Sequence, residues 1–200
     1  MDTRTVDVPP YEVAPAAQVE AETSAVIVVD MQNDFADPGG KLFGPRAHDI
    51  IPAVQRLLSK AHAKRMTVIY TQDWHTPDDP EFAIWGEHCV AGSWGAQIVD
   101  DLPQADGDIT IRKTTYDAFY GTPLESLLRT NNIQTVIVTG TVANICVLHT
   151  AASAALRGLQ VVVPLDAVAP LTDFDLETLA RQVDFLYQGT LVDSDAITVS

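Results

Sequence analysis

The sequence contains little cysteine, little positive charge and no long hydrophobic run. Its two cysteines, Cys89 and Cys146, are too few for a disulfide framework, so a reduced, cytoplasmic setting is predicted. Because 12 Lys and Arg residues stand against 27 Asp and Glu residues, the net charge of −15 argues against nucleic acid or an anionic membrane as a partner. No run of about eighteen apolar residues occurs, so no transmembrane helix is predicted. The N-terminus has acids and prolines where a signal peptide needs an apolar segment, so none is expected.

The hydrophobic content and its distribution predict a single domain. Hydrophobic residues make up 46% of the 200 residues, which is enough for one sizeable core. Residues 1–22 contain three prolines and show no hydrophobic period. They are predicted to form an N-terminal arm that is flexible or contacts another subunit, and residues 23–200 are predicted to form the domain.

Short β-branched segments alternate along the chain with segments of helical spacing. Strands are predicted at 24–30, 67–70, 109–111, 136–139, 160–163 and 189–192, and helices at 47–64, at 123–129, from 144 onward and from 172 or 173 onward. This alternation predicts an α/β fold of three layers, α/β/α, around a mostly parallel, Rossmann-like sheet.

Four reactive side chains lie at or just after the ends of predicted strands: Asp30, Asp73, Lys113 and Cys146. In an open α/β sheet, ligands bind at the carboxyl ends of the strands. We therefore expect these side chains to converge on one crevice, although they are far apart in sequence.

Cys146 follows a predicted strand and lies at the start of a predicted helix. From this stretch alone, two interpretations of the residue have equal weight. At a helix N-terminus its thiol would have a lowered pKa and act as a nucleophile, whereas a buried cysteine would simply pack as a small hydrophobic residue. As its base we favour Asp30 over a histidine, because His149 is expected to pack along the helix. Lys113 could then keep Asp30 ionised, although a strand-end cap and a surface lysine are the ordinary alternatives for these two residues.

A second group, Asp73, His75 and His88, has the residue types of a metal site. In an extended segment Asp73 and His75 share a face, and a loop can bring His88 to them. Two imidazoles and one carboxylate suit zinc, iron or manganese in a site with open positions. Judged from spacing alone the signal is weak, because D-x-H segments are common in ordinary loops. The adjacent Cys89 would point away from such a site.

With these residues in view, the chain resembles the isochorismatase-like cysteine hydrolases, and among them most closely the nicotinamidases. The resemblance covers residues 24–165 and rests on five motifs in the family's order: V-V-D-M-Q-N-D-F around Asp30, D-W-H at 73–75, W-G-E-H-C-V at 85–90, R-K-T-T-Y-D-A-F at 112–119 and V-T-G-T-V-A-N-I-C-V at 138–147. Five ordered motifs are specific, whereas each one by itself is not.

The resemblance implies a catalytic triad of Asp30, Lys113 and Cys146, with Cys146 as the nucleophile and Asp30 as the proton acceptor and donor. It also implies a cis peptide bond between Thr141 and Val142, which directs the backbone N–H groups of Val142 and Cys146 toward an oxyanion. The expected reaction is hydrolysis of a small planar amide, with nicotinamide as the first choice, through a thioester on Cys146.

The resemblance further implies a divalent metal, zinc in the first place and iron or manganese otherwise. Its ligands would be Asp73, His75 and His88. Substrate contacts are expected from three aromatic residues: Phe35, Trp85 and Tyr116. By analogy with relatives, a homo-oligomer is also expected.

Two departures from the nicotinamidase pattern concern the substrate. Tyr116 follows Lys113 after only two residues, where nicotinamidases have a longer loop, and Asn144 stands where many of them have an acid. A hydrolase of another substrate therefore remains an alternative, with a ureidoacrylate-, maleamate- or carbamoyl-type amide or isochorismate as that substrate. The remaining alternative is a non-catalytic α/β binding protein with a vestigial site.

Overall fold

The computed structural model describes residue 5 and residues 7–200. Its strands are β1 Ala17–Val19, β2 Ser24–Val29, β3 Thr67–Asp73, β4 Ile109–Lys113, β5 Thr135–Thr141, β6 Gln160–Pro164, β7 Val168–Ala169, β8 Thr190–Val192 and β9 Ile197–Val199. Its helices are α1 Asn33–Ala36, α2 Pro45–Asp49, α3 Ile51–Ala63, α4 Phe82–Trp85, α5 Leu124–Thr130, α6 Leu148–Leu156 and α7 Asp173–Phe185. A π-helical turn, Ala143–Val147, joins β5 to α6.

The main sheet has the strand order β4-β3-β2-β5-β6-β8, with β7 pairing β5 at its end. Every strand pairing among the described residues of this sheet is parallel. From β2 the chain moves outward through β3 to β4, and it then returns to the other side of β2 as β5. The order therefore reverses between β2 and β5, and such a switch point opens a crevice at the carboxyl ends of the strands.

Helices cover both faces of this sheet. Alternate residues of β2 belong to different cores, with Val26 and Val28 packing in the cluster that includes α3, and Ile27 in the cluster that includes α5, α6 and α7. A parallel sheet that is buried on both faces explains why β2 is apolar from Ala25 to Val29. The predicted three-layer α/β/α fold is confirmed.

The boundaries of some elements differ from the prediction. Strands β3 and β4 extend to Asp73 and Lys113, because their polar ends stay in register, with Thr71 opposite Ile111 and Asp73 opposite Lys113. The predicted helix at 47–64 is divided into α2 and α3 at Ile50. Pro52 lies in the first turn of α3 and, having no N–H group, cannot continue a preceding helix.

Part of the predicted N-terminal arm packs on its own chain. Strand β1 pairs in parallel with β9, and the backbone N–H of Ala14 donates to the carbonyl of Leu191 at 2.8 Å. This pairing, which sequence periodicity did not indicate, holds residues 17–19 without a partner subunit. Residues 1–4 and 6 of the arm lie outside the described residues. Within the described residues, no helix has both the length and the apolar character needed to cross a membrane.

Candidate active site

The four predicted reactive residues converge at the switch point of the sheet. Asp30 directly follows β2, Asp73 and Lys113 are the last residues of β3 and β4, and Cys146 lies in the π-helical turn after β5. They meet because parallel strands place their carboxyl ends on the same edge. The expectation of one crevice is therefore met by the geometry.

Lys113 forms the centre of a buried ionic cluster. Its Nζ lies 2.7 Å from Oδ2 of Asp30, forms an ion pair with Oδ1 of Asp73 and lies 3.8 Å from Sγ of Cys146. None of its side chain is exposed, so the alternative of a surface lysine is wrong. Burial by itself lowers the pKa of Lys113, but the two carboxylates outweigh it and hold the pKa well above its usual value.

A sharp backbone turn directs Asp30 toward this cluster. Asp30 has a φ of 51°, its backbone N–H donates to Oγ1 of Thr71 at 3.2 Å, and the Thr71 hydroxyl donates to Oδ1 of Asp30 at 2.6 Å. Burial raises the pKa of Asp30 to about 6, and Lys113 opposes this rise. A carboxylate with that pKa is a better proton acceptor near neutral pH than an ordinary one.

The thiol of Cys146 is buried within the same cluster, and its carboxylate neighbours Asp30 and Asp73 have oxygen atoms within 4.8 Å of Sγ. Burial raises the pKa of Cys146 well above its usual value, and the ammonium of Lys113 opposes only part of this rise. The lowered pKa predicted from the helix position is therefore wrong, because desolvation dominates. His149 does not join the cluster, since its Nδ1 donates to the carbonyl of Ile145 at 2.7 Å.

The backbone between β5 and Cys146 follows the path that the resemblance implies. The peptide bond between Thr141 and Val142 is cis. Gly140, just before it, has a φ of 110°, and a Cβ atom there would lie 2.1 Å from the carbonyl oxygen of Val29. Only glycine permits this approach of β5 to β2, which brings Cys146 next to Asp30.

A cavity of about 140 Å³ opens beside Cys146. The three aromatic residues predicted to contact a substrate all line it, together with the predicted oxyanion residues: Phe35, Trp85, Tyr116, Thr141 and Val142. The indole N–H of Trp85 donates to the hydroxyl of Tyr116 at 3.0 Å, which joins two of these rings. Four residues that sequence reasoning did not single out also line the cavity: Leu42, Glu81, Ile145 and Leu171.

Asp73, His75 and His88 lie together beside this cavity, and Asp73 and His88 line it. All three are buried, and one potential ligand atom of each lies within 4.8 Å of those of the other two. Oδ1 of Asp73 faces Lys113, while its Oδ2 lies 3.9 Å from Nε2 of His75. Cys89 is outside this group, because its Sγ faces the carbonyl of Gly95 at 3.8 Å.

The donor atoms of this group fit a divalent metal ion. Nε2 of His75 is buried and has no hydrogen-bond partner among the described residues, which would be costly without a ligand. The Nδ1 atoms of both histidines have hydrogen-bond partners. Nδ1 of His75 lies 3.0 Å from the carboxylate of Asp79, and Nδ1 of His88 lies 2.9 Å from the carbonyl oxygen of Gly86. Such partners are typical of metal-binding histidines. Burial lowers the pKa of His88, which favours the neutral ring that a metal requires.

We therefore expect the purified protein to bind about one divalent ion per chain. His75→Ala should remove most of the bound metal, because it deletes the buried, unpartnered nitrogen. Elemental analysis by mass spectrometry after incubation with zinc and desalting measures this directly. His62→Ala is the control, because His62 pairs with Asp108 outside the group. Equal metal contents in His75→Ala and the unmodified protein would contradict the assignment.

Gln32 positions the end of β3. It was not identified as a functional residue from the sequence. Its side-chain N–H groups donate to the carbonyls of Asp73 and Ala96, each at 2.9 Å, and its Oε1 accepts the backbone N–H of Asp73 at 2.8 Å. Hydropathy gives no signal for such a residue. Its place in the motif V-V-D-M-Q-N-D-F was the only indication.

Asn144, the departure from the nicotinamidase pattern, connects the Cys146 turn to α7. Its Nδ2 donates to Oδ1 of Asp175 at 2.7 Å. Oδ2 of the same carboxylate accepts the backbone N–H and the hydroxyl of Thr172, each at 2.7 Å, and so caps α7. The amide of Asn144 and the acid of Asp175 thus form a complementary pair across the two elements.

This pairing predicts a reciprocal effect on stability. Asn144→Asp places two carboxylates against each other, and we expect it to lower the free energy of unfolding by about 1–3 kcal/mol. Adding Asp175→Asn should recover much of the loss, because the amide can then donate in the opposite direction and still cap α7. Thermal unfolding of both variants measures this, and a double variant no more stable than Asn144→Asp would contradict it.

The fold and the site together define an α/β protein with a buried cysteine–lysine–aspartate cluster at the switch point of its sheet. Comparison with known proteins agrees with this description. A sequence model of the isochorismatase domain matches residues 24–195. The chain therefore belongs to the isochorismatase family.

Several similar proteins are named as amidases. The chain is 36% identical over 181 residues to an N-carbamoylsarcosine amidase of an Arthrobacter species, covering 86% of this chain but only 64% of that protein's length. A crystal structure of N-carbamoylsarcosine amidase from Thermoplasma acidophilum is 36% identical, with a TM-score of 0.80 and coverage of 86% of this chain and 97% of that one. A pyrazinamidase of Pyrococcus horikoshii, solved in complex with zinc, is 32% identical, with a TM-score of 0.76 and coverage of 89% and 98%.

Proposed function

We propose that this protein is a cysteine-dependent amidohydrolase that cleaves the C–N bond of a small planar amide, with nicotinamide as the first candidate. The observation that carries the proposal is the buried cluster of Asp30, Lys113 and Cys146 beside a cavity with aromatic walls. The names of the similar amidases support the same reaction class.

In the proposed mechanism, Sγ of Cys146 attacks the amide carbonyl as its proton passes to Asp30. This order follows from the raised pKa of the thiol, which keeps it protonated until the substrate is bound. The new oxyanion is proposed to accept the backbone N–H groups of Val142 and Cys146. Asp30 then returns its proton to the leaving nitrogen, so ammonia departs and a thioester remains on Cys146.

The second half of the reaction uses the same residues. Asp30 takes a proton from water, the resulting hydroxide attacks the thioester, and the thiol leaves with that proton as the carboxylic acid forms. Lys113 stays protonated throughout, because two carboxylates hold its pKa high. Its role is to orient Asp30 and to balance the negative charge that develops near Sγ.

Asp73, His75 and His88 would hold a divalent metal ion next to this centre. When bound, such an ion supplies an electrophilic anchor for a substrate atom with a lone pair, such as a pyridine nitrogen. The cavity side of this group lies near Phe35 and Trp85, whose rings could stack on a planar substrate. The zinc complex of the similar pyrazinamidase supports zinc as the first candidate metal.

A carbamoyl-type amide is the second candidate substrate. It is favoured by the 36% identity to N-carbamoylsarcosine amidases. The absence of the longer loop after Lys113 also separates this chain from the nicotinamidase pattern. Both candidates use the same thiol chemistry and differ only in what the cavity binds.

An ammonia-release assay tests the proposed function. The purified full-length protein is incubated with nicotinamide, pyrazinamide and N-carbamoylsarcosine, with and without a chelator. Ammonia release from at least one of them, fastest with nicotinamide and lost on chelation, is the expected result. No release from any of them by metal-loaded protein would reject the proposal and favour a non-catalytic binding protein.

A further inference from the structure

The cavity beside Cys146 has negative side chains and, among the described residues that line it, no lysine or arginine. Its charged lining consists of the carboxylates of Asp73 and Glu81. The ammonium of Lys113 lies behind the wall, fully buried, and is already shared between Asp30 and Asp73. The side chains that line the cavity are therefore apolar, neutral polar or negative.

Glu81 adds a second carboxylate to this lining. Within the described part of the chain, its carboxylate has neither an ion-pair partner nor a hydrogen-bond donor. Two cations near the cavity residues in sequence lie outside the lining, where Lys41 pairs with Glu87 and Arg46 pairs with Asp173. The net charge of −15 adds a repulsive field for anions at longer range.

We infer that this site selects neutral or cationic amides and rejects amides that carry a carboxylate, with Glu81 and Leu171 as the specificity-determining residues. The inference rests on the proposed amidase function and specifies its substrate class. It favours neutral aromatic amides over N-carbamoyl amino acids, maleamate and ureidoacrylate, all of which are anions at neutral pH.

The physical reason is desolvation combined with like-charge repulsion. A carboxylate that enters a cavity of about 140 Å³ loses hydration and finds no lysine or arginine in the lining to replace it. A divalent ion held by Asp73, His75 and His88 would add two positive charges to that of Lys113, but the three carboxylates of Asp30, Asp73 and Glu81 offset them. The site therefore stays without net positive charge even when loaded.

Leu171 is the position at which this selectivity can be reversed. It lines the cavity, yet 52% of its surface is exposed, so it lies at the mouth. A long cationic side chain can be accommodated there with its stem in solvent contact and its charge directed to the cavity. The apolar character of this residue leaves a substrate carboxylate without a counter-ion.

The test compares two amides of one skeleton, maleamide and maleamate, which differ only in the group at the far end. For the metal-loaded protein we expect kcat/KM for maleamide to exceed that for maleamate by about tenfold or more, after correction for the two equivalent amides of maleamide. Leu171→Arg should lower this ratio by about tenfold, since it supplies the missing cation. Glu81→Gln should also lower the ratio of kcat/KM for maleamide to kcat/KM for maleamate.

Two controls separate local charge from other effects. Leu171→Gln changes the size and polarity of the same side chain without charge and should leave the ratio nearer to that of the unmodified protein. Leu156→Arg adds the same charge at a position 80% exposed and outside the cavity lining, and it should leave the ratio unchanged. Thermal unfolding verifies that each variant is folded.

The possible outcomes are distinct. If the unmodified protein cleaves maleamate as fast as maleamide, the charge selection is wrong while the amidase function stands. If Leu171→Arg shifts the ratio no more than Leu171→Gln or Leu156→Arg does, the assignment of Leu171 is wrong. If only an anionic amide such as N-carbamoylsarcosine releases ammonia, the charge selection is likewise wrong, and if maleamide, nicotinamide, pyrazinamide and N-carbamoylsarcosine all fail to release it, the proposed function itself fails.

Discussion

Cys146→Ala should lower amide hydrolysis by about 10⁴-fold or more, since the residue that forms the covalent intermediate is then absent. The reason is specific to this site: Sγ is the only thiol near Lys113 among the described residues, and it faces the cavity. The rate of ammonia release under saturating substrate measures the loss. Because Cys146 is small, the alanine variant should remain folded, and its thermal unfolding should verify this.

Acid quenching during turnover, followed by mass spectrometry, provides a second measurement. An acyl adduct should appear on the peptide that contains Cys146 and be absent from Cys146→Ala. Cys89→Ala is the matched control, because Cys89 is buried away from the cavity and burial raises its pKa. It should keep the adduct. Turnover by Cys146→Ala at a rate near that of the unmodified protein would exclude the thioester route.

Asp30→Asn is expected to have the next largest effect, a loss of about 10²–10⁴-fold in kcat. The amide has the shape of the carboxylate but cannot accept the thiol proton. Lys113 keeps its contact with Asp73 in this variant, so the buried ammonium is not left unpaired. We therefore expect a folded protein that binds substrate with a KM close to the original value and turns it over slowly.

The pH profile makes this prediction specific to proton transfer. Only ionised Asp30 can accept a proton, so kcat/KM of the unmodified protein should fall as the pH decreases through about 6, the value to which burial raises this pKa. In Asp30→Asn that inflection should be lost. Asp106→Asn, an exposed substitution of the same type, should keep both the rate and the inflection. An unchanged profile in Asp30→Asn would show that another group is the base.

Much of this arrangement could be predicted because the relevant signals are local in sequence. Uncharged stretches rich in β-branched residues identify buried parallel strands such as β2 and β5. The residues that follow such strands must lie on one edge of the sheet. Asp30, Lys113 and Cys146 could therefore be placed in one crevice from strand ends and ordered motifs. Polar strand ends were less visible, and so β3 and β4 were predicted too short.

The sequence by itself determined the three-layer fold, the convergence of the reactive residues and the family of the chain. Tertiary structure alone decided the electrostatics, since the pKa of a group depends on burial and on charges contributed by distant elements. That is why the position of Cys146 at the start of a helix predicted a lowered pKa while burial raises it. The negative lining of the cavity and the pairing of Asn144 with Asp175 likewise arise only when separate strands and helices meet.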